Sequence, residues 1–146
     1  MRTRVSLVTI ACLVSASAAA PRFVSFDELA KHPQRYNNKL VSTVAFLQID
    51  DEHKIASLRP RPHSDMSGLP DIFLDWPRSI PEKKAYAAAE HRVKITGTFQ
   101  YRELKTRVID PGGPSRRGIE EHTLGFGWMG IFDKQLTNIS AFTVLK

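Results

Sequence analysis

Five histidines and a scatter of carboxylates are the residues of this chain best suited to acid–base or metal chemistry. His53 follows Asp50, Asp51 and Glu52, and His63 stands two residues before Asp65, so imidazole and hard-oxygen ligands share two polar segments. No histidine pair has the i, i+4 spacing that sets two ligands on one helix face in zinc proteases. The sole cysteine, Cys12, lies in an apolar N-terminal run, so the rest of the chain has no thiolate for a structural zinc site. These histidines read as solvated turn residues, with metal ligation as the competing reading.

Other catalytic patterns are missing their essential members. Met66-Ser-Gly68 lacks the strained Gly-x-Ser-x-Gly elbow that exposes a serine nucleophile. Asp71, Asp75 and Glu103 supply carboxylates, yet nothing in their spacing pairs an acid with a base. Gly112-Gly113 lacks the Gly-Lys-Ser/Thr ending of a phosphate loop. No catalytic residue, metal site or cofactor is therefore assigned. What remains is a set of cations near aromatic rings: Arg59, Arg61, Phe73 and Trp76, then Arg116, Arg117 and His122, and finally Phe126 and Trp128 within the glycine-rich Gly125–Gly130. Rings beside guanidinium groups suit ligand recognition, but only if the fold gathers them on one surface.

The elements that would position them can be read in order. Ser25-Phe-Asp-Glu28 is a capping box, with Val24 and Leu29 as a hydrophobic staple, and predicts a short helix ending near His32 before Pro33. Tyr36 to Lys39 reads as a turn. Leu40–Ile49 predicts a first strand with Val41, Thr43, Ala45 and Leu47 on one face. Lys54–Leu58 predicts a second strand and Ile72–Leu74 a third, with a proline-rich loop between them. Pro81–Glu90 has a first-turn proline and four alanines, which predicts a second helix. Val93–Tyr101, with Gly97 at its centre, predicts a fourth strand that continues toward Ile109. After a glycine- and proline-rich loop, Trp128–Leu145 holds the closing strand or strands.

One internal echo bears on architecture. Val41–Gln48 aligns without gaps with Val93–Gln100, and each segment carries a very small residue, Ala45 or Gly97, at the same place. In a closed barrel such a residue permits the sharp coil by which one strand serves two sheets, although two generic amphipathic strands would look alike. Three strands, a helix and two more strands is the order of an OB-like Greek-key barrel. The expected fold is thus mainly β with two short helices, a five-stranded OB-like barrel. On that barrel, strands two and three and the loops after strands one and four form the usual binding surface. Arg59, Arg61, Phe73 and Trp76 map to that face, Arg116, Arg117 and His122 to the fourth-to-fifth-strand loop, and Phe126 and Trp128 to a recognition patch or a barrel corner. The competing reading buries Phe73 in the core and leaves the arginines solvated.

Three segments carry a resemblance to a family: Val24–Val41, Val93–Phe99 and Met129–Ile139. They resemble small exported bacterial proteins of unassigned function with OB-like barrels, in which a short helix, a proline, a tyrosine turn and a lysine lead into the first strand. Histidine often precedes the Met-Gly pair in that family, whereas Trp128 stands there in this chain. The resemblance implies fold and compartment, and transfers no catalytic residue.

The N-terminus supports the same compartment. Met1-Arg-Thr-Arg4 precedes ten uncharged residues, Val5–Val14, and then the small-residue stretch Ser15–Ala20, a tripartite pattern that predicts a cleavable signal at residues 1–19. The apolar run is well short of the roughly 20 residues of a membrane-spanning helix. Residues 20–146 are then a single domain with no further span and no disulfide. Loss of Arg2 and Arg4, with no acidic residue, takes the formal charge from +6 to +4. The expectation is a periplasmic or secreted, non-enzymatic binding module whose partner is a protein, peptide, glycan or small ligand of the cell envelope. Export disfavours nucleic acid. An exported hydrolase or metal-dependent enzyme, and a structural subunit of an envelope complex, are the alternatives.

Overall fold

The computed structural model describes residues 20–50, 52, 55–62, 71–75, 82–109, 119–127 and 130–146. The signal expected at residues 1–19 lies outside them, as do His53, His63 and Asp65. Among the described residues no helix is long and apolar enough to cross a membrane.

The chain enters through a two-residue strand, β1 (Arg22–Phe23), and a short helix, α1 (Phe26–Lys31). Ser25 caps the helix by accepting the Glu28 N–H on its hydroxyl at 3.2 Å. Glu28 does not complete the expected reciprocal box. Its carboxylate instead accepts the Tyr36 hydroxyl at 3.0 Å and faces Arg35, because a 3₁₀ turn at Pro33–Tyr36 folds back over the helix. Val24 and Leu29 are both buried, as the staple requires.

Five strands then close a barrel: β2 (Lys39–Asp50), β3 (Ile55–Arg59), β4 (Ile72–Leu74), β5 (Arg92–Tyr101) and β8 (Lys134–Val144). The closed order is β2–β3–β4–β8–β5–β2, with every pairing antiparallel except β4 with β8. This is the OB-like barrel expected from the order of elements. β2 serves two partners, lying against β5 from Lys39 to Phe46 and against β3 from Phe46 to Asp50. β1 runs parallel to β2 at Val41 and Ser42, an addition that two residues could not announce by periodicity.

The two echoing segments are neighbours. Val41 pairs with Gly97 and Ala45 with Val93, around a centre at Thr43 and Ile95, so each small residue faces the other segment's first valine. At Gly97 an added Cβ would stand 2.7 Å from Leu136 Cδ2 and 2.8 Å from the Thr137 carbonyl oxygen, and the register with β8 shifts between Thr96 and Thr98. The glycine lets β8 press onto β5 as the barrel closes.

Val41, Thr43, Ala45 and Leu47 point inward as expected, and Leu58, Ile72, Leu74, Ile95, Phe99 and Leu136 join them in the core. Each of the larger side chains removes enough apolar surface to stabilise the fold by about 1.5–3 kcal/mol. The second helix, α2 (Glu82–Ala87), is shorter than the expected Pro81–Glu90. Glu90 takes a left-handed φ of 62° and donates its N–H to the Leu47 carbonyl at 2.7 Å, which turns the chain off the helix and onto β2.

The expected continuation of the fourth strand to Ile109 is interrupted. β5 ends at Tyr101, where the Arg102 N–H is drawn to the Asp133 carbonyl at 2.8 Å. Exposed residues 102–105 lead out to a separate hairpin, β6 (Thr106–Ile109) with β7 (Ile119–His122). The closing strand begins at Lys134 rather than near Trp128, because Phe126 and Phe132 pair with each other ahead of it.

Candidate functional site

The surface in question is the outer face of β3 and β4. Leu58 and Ile72 pair across the two strands and point into the barrel, so Ser57 and Phe73, the adjacent pair, lie on the opposite side. Arg59 shares that side but is only 4% exposed. Its Nε and Nη2 both donate to Asp71 Oδ2 at 3.0 Å, so the guanidinium expected to meet a ligand is engaged by a carboxylate of its own chain. Asp71 Oδ1 is buried and has no hydrogen-bond partner among the described residues. Burial pushes the Asp71 carboxyl above the ordinary carboxylate range, against the opposing pull of Arg59.

Phe73 is half-buried, and the cover comes from the segment that precedes β8. Its ring centroid lies 5.4 Å from that of Phe132, with the planes tilted by 33°. Gly127, at φ +70°, passes so near that an added Cβ would come within 2.9 Å of the Phe73 ring and 3.1 Å of the Phe132 ring. The competing reading of Phe73 as a simple core residue does not hold: it lies outside the barrel, under a second layer of chain.

That layer is a small hairpin. Phe126 and Phe132 exchange backbone hydrogen bonds at 2.6 and 3.2 Å, and the Gly125 N–H donates to the Gly130 carbonyl at 2.8 Å. Gly127 and Gly130 both have positive φ, a conformation that glycine adopts without strain. Arg102 ties the hairpin to the barrel. Its Nη1 donates to the Leu124 carbonyl at 2.9 Å, and its guanidinium lies 5.0 Å over the Phe126 ring. Lys134, almost fully buried at the base of β8, donates to both carboxylate oxygens of Asp133 at 2.6 Å. Around this hairpin Leu104, Leu124 and Ile131 are exposed, Leu124 to 66%.

The fold therefore brings Phe73 and Phe126 into one assembly through Phe132 and Gly127. Arg61 is exposed just past β3. His122 is exposed on β7, where its Nδ1 lies 3.1 Å from Thr106 Oγ1 across the hairpin. Trp76, Arg116, Arg117 and Trp128 lie outside the described residues. Arg102, Phe132, Leu124 and Ile131 belong to the site and carried no sequence signal beyond the glycines around them. The spacing of those glycines pointed to a barrel corner or a patch, and the described residues form a hairpin laid against the barrel.

Among the described residues the three candidate carboxylates are not brought together. Asp71 is held by Arg59, Asp75 accepts the Thr137 hydroxyl at 2.9 Å, and Glu103 pairs with Lys105 at 3.0 Å, so the three carboxylates serve separate partners. Among the described residues no group of three or more His, Cys, Asp or Glu side chains is placed to hold a metal ion. Comparison with family models, with curated proteins and with solved structures finds no match to this chain.

Proposed function

We propose that this chain is an exported, non-enzymatic binding module of the cell envelope, which takes a protein or peptide partner on the β3–β4 face and its covering hairpin. The observation that carries this reading is the apolar rim of Leu104, Leu124 and Ile131 on a hairpin that is itself anchored by Phe73, Phe132 and Arg102. Exposed large apolar side chains grouped on a braced support are costly in water and suit recognition of another apolar surface. The support for a module of the OB type is the closed barrel order. Export is inferred from the tripartite N-terminus, and it directs the search to envelope partners.

The test is crosslinked recovery of partners from native cells with the unaltered chain and with a Leu124→Glu/Ile131→Glu variant. A defined partner retained by the first and lost by the second, with the Tm of the two chains alike, is the expected result. Equal recovery by both chains would overturn the assignment to this face.

A further inference from the structure

A second concavity lies on the outer face of β2, β5 and β8, and none of its described lining belongs to the Phe73–Phe126 assembly. Its volume is about 320 Å³, near the lower end for small-molecule sites. The floor is built by register: Ser42 pairs with Thr96, and Thr96 with Ala141, so three small side chains lie side by side across three strands. The chain entering β1 raises an apolar wall, Pro21 and Phe23, along one border. That wall explains why Ser42 and Thr96, on the outward face of their strands, are nonetheless buried.

Two features give the cleft a chemistry. Ser42 is 5% exposed, and its Oγ has no hydrogen-bond partner among the described residues. A buried hydroxyl left in that state is destabilising, and an acceptor supplied by a ligand would offset the cost. Lys94, paired with Thr143 on the neighbouring strand, adds an ammonium group, and no carboxylate is among the described residues of the lining. One cation and one hydroxyl suit a monoanion, whereas a phosphate dianion calls for more donors than the cleft presents. The Phe23 ring, 60% exposed, offers surface that a short hydrocarbon would cover.

We infer that this cleft binds an organic monocarboxylate with a short apolar tail, the head group taken by Lys94 and by the Ser42 hydroxyl, which turns outward from its buried position to meet it, and the tail laid along Pro21 and Phe23. A free carboxylic acid and the C-terminus of a peptide present the same chemistry. Titration of the purified full chain, followed by NMR, distinguishes them with hexanoate, hexanol, hexylammonium and a short peptide ending in leucine with a free or an amidated terminus.

Hexanoate is expected to shift the signals of Phe23, Ser42, Lys94 and Thr96 and to saturate in the millimolar range, in keeping with about eight non-hydrogen atoms. Lys94→Gln, a surface change, is expected to weaken it by about tenfold. Ser42→Ala is expected to weaken it by about fivefold while raising Tm, since it removes an unsatisfied hydroxyl. Tighter binding of the free-terminus peptide assigns the site to chain ends, and tighter binding of hexanoate assigns it to free acids. The inference is overturned if hexanol or hexylammonium matches hexanoate, if Lys94→Gln leaves affinity unchanged, or if neither carboxylate binds at about 10 mM.

Discussion

Gly127 and Phe73 are held so close that any side chain at residue 127 would intrude on the ring, with a Cβ only 2.9 Å from Phe73 Cδ2. This contact joins the covering hairpin to the outer face of the barrel, and it depends on a residue that tolerates φ +70°.

Gly127→Ala therefore acts on the hairpin in two ways, through backbone strain and through contact with two rings. A loss of about 1–3 kcal/mol is expected. Hydrogen exchange localises it: the Phe126 and Phe132 amides should lose protection while those of Ile95 and Leu136 in the barrel keep theirs. A uniform loss across the barrel would show that the hairpin is not a separate layer.

Asp71 and Arg59 set a pH dependence whose sign follows from burial. The folded chain takes up the Asp71 proton at higher pH than the unfolded chain, whose carboxyl titrates near 3.8. Its contribution to stability is therefore least when the group is ionised, and it grows as pH falls through the raised folded value toward 3.8. Asp71→Asn should abolish this component of the stability–pH curve. At neutral pH the same change removes a carboxylate whose ionised form the fold disfavours, so its effect on stability is expected to be small, about 1 kcal/mol or less. Urea titrations of both chains across the acid range measure both effects.

Gly97→Ala tests barrel closure. The added methyl meets Leu136 and the Thr137 carbonyl below 3 Å, so β8 must move outward. A cost of about 1–3 kcal/mol is expected in thermal unfolding. Ala45→Gly in the echoing segment should cost only about 1 kcal/mol, mostly through backbone entropy, if closure rests on Gly97.

Thr43→Val makes the opposite prediction. The Thr43 hydroxyl is buried inside the barrel with no hydrogen-bond partner among the described residues, and valine keeps its shape without the polar atom. A gain of about 1 kcal/mol is expected in denaturant midpoint at constant m-value.

Local chemistry determined much of this protein before any contact was known. Alternation placed Val41, Thr43, Ala45 and Leu47 inward, Ser25 announced the first helix, and the order of elements led to a five-stranded barrel. Those inferences depend on residues near one another along the chain, where period and capping act directly. Tertiary structure alone decided the rest. Arg59 is an arginine in sequence like Arg61, and only the approach of Asp71, twelve residues on, makes it a buried ion-paired group. Phe73 reads as a core residue until Gly127 and Phe132 are folded over its outer side. Ser42 lies on the outward side of its strand and is buried because β1 is laid across the sheet. In each case the property belongs to a pair of residues distant in sequence, and burial, pairing and exposure are settled only when the barrel has closed and its loops have chosen a face to cover.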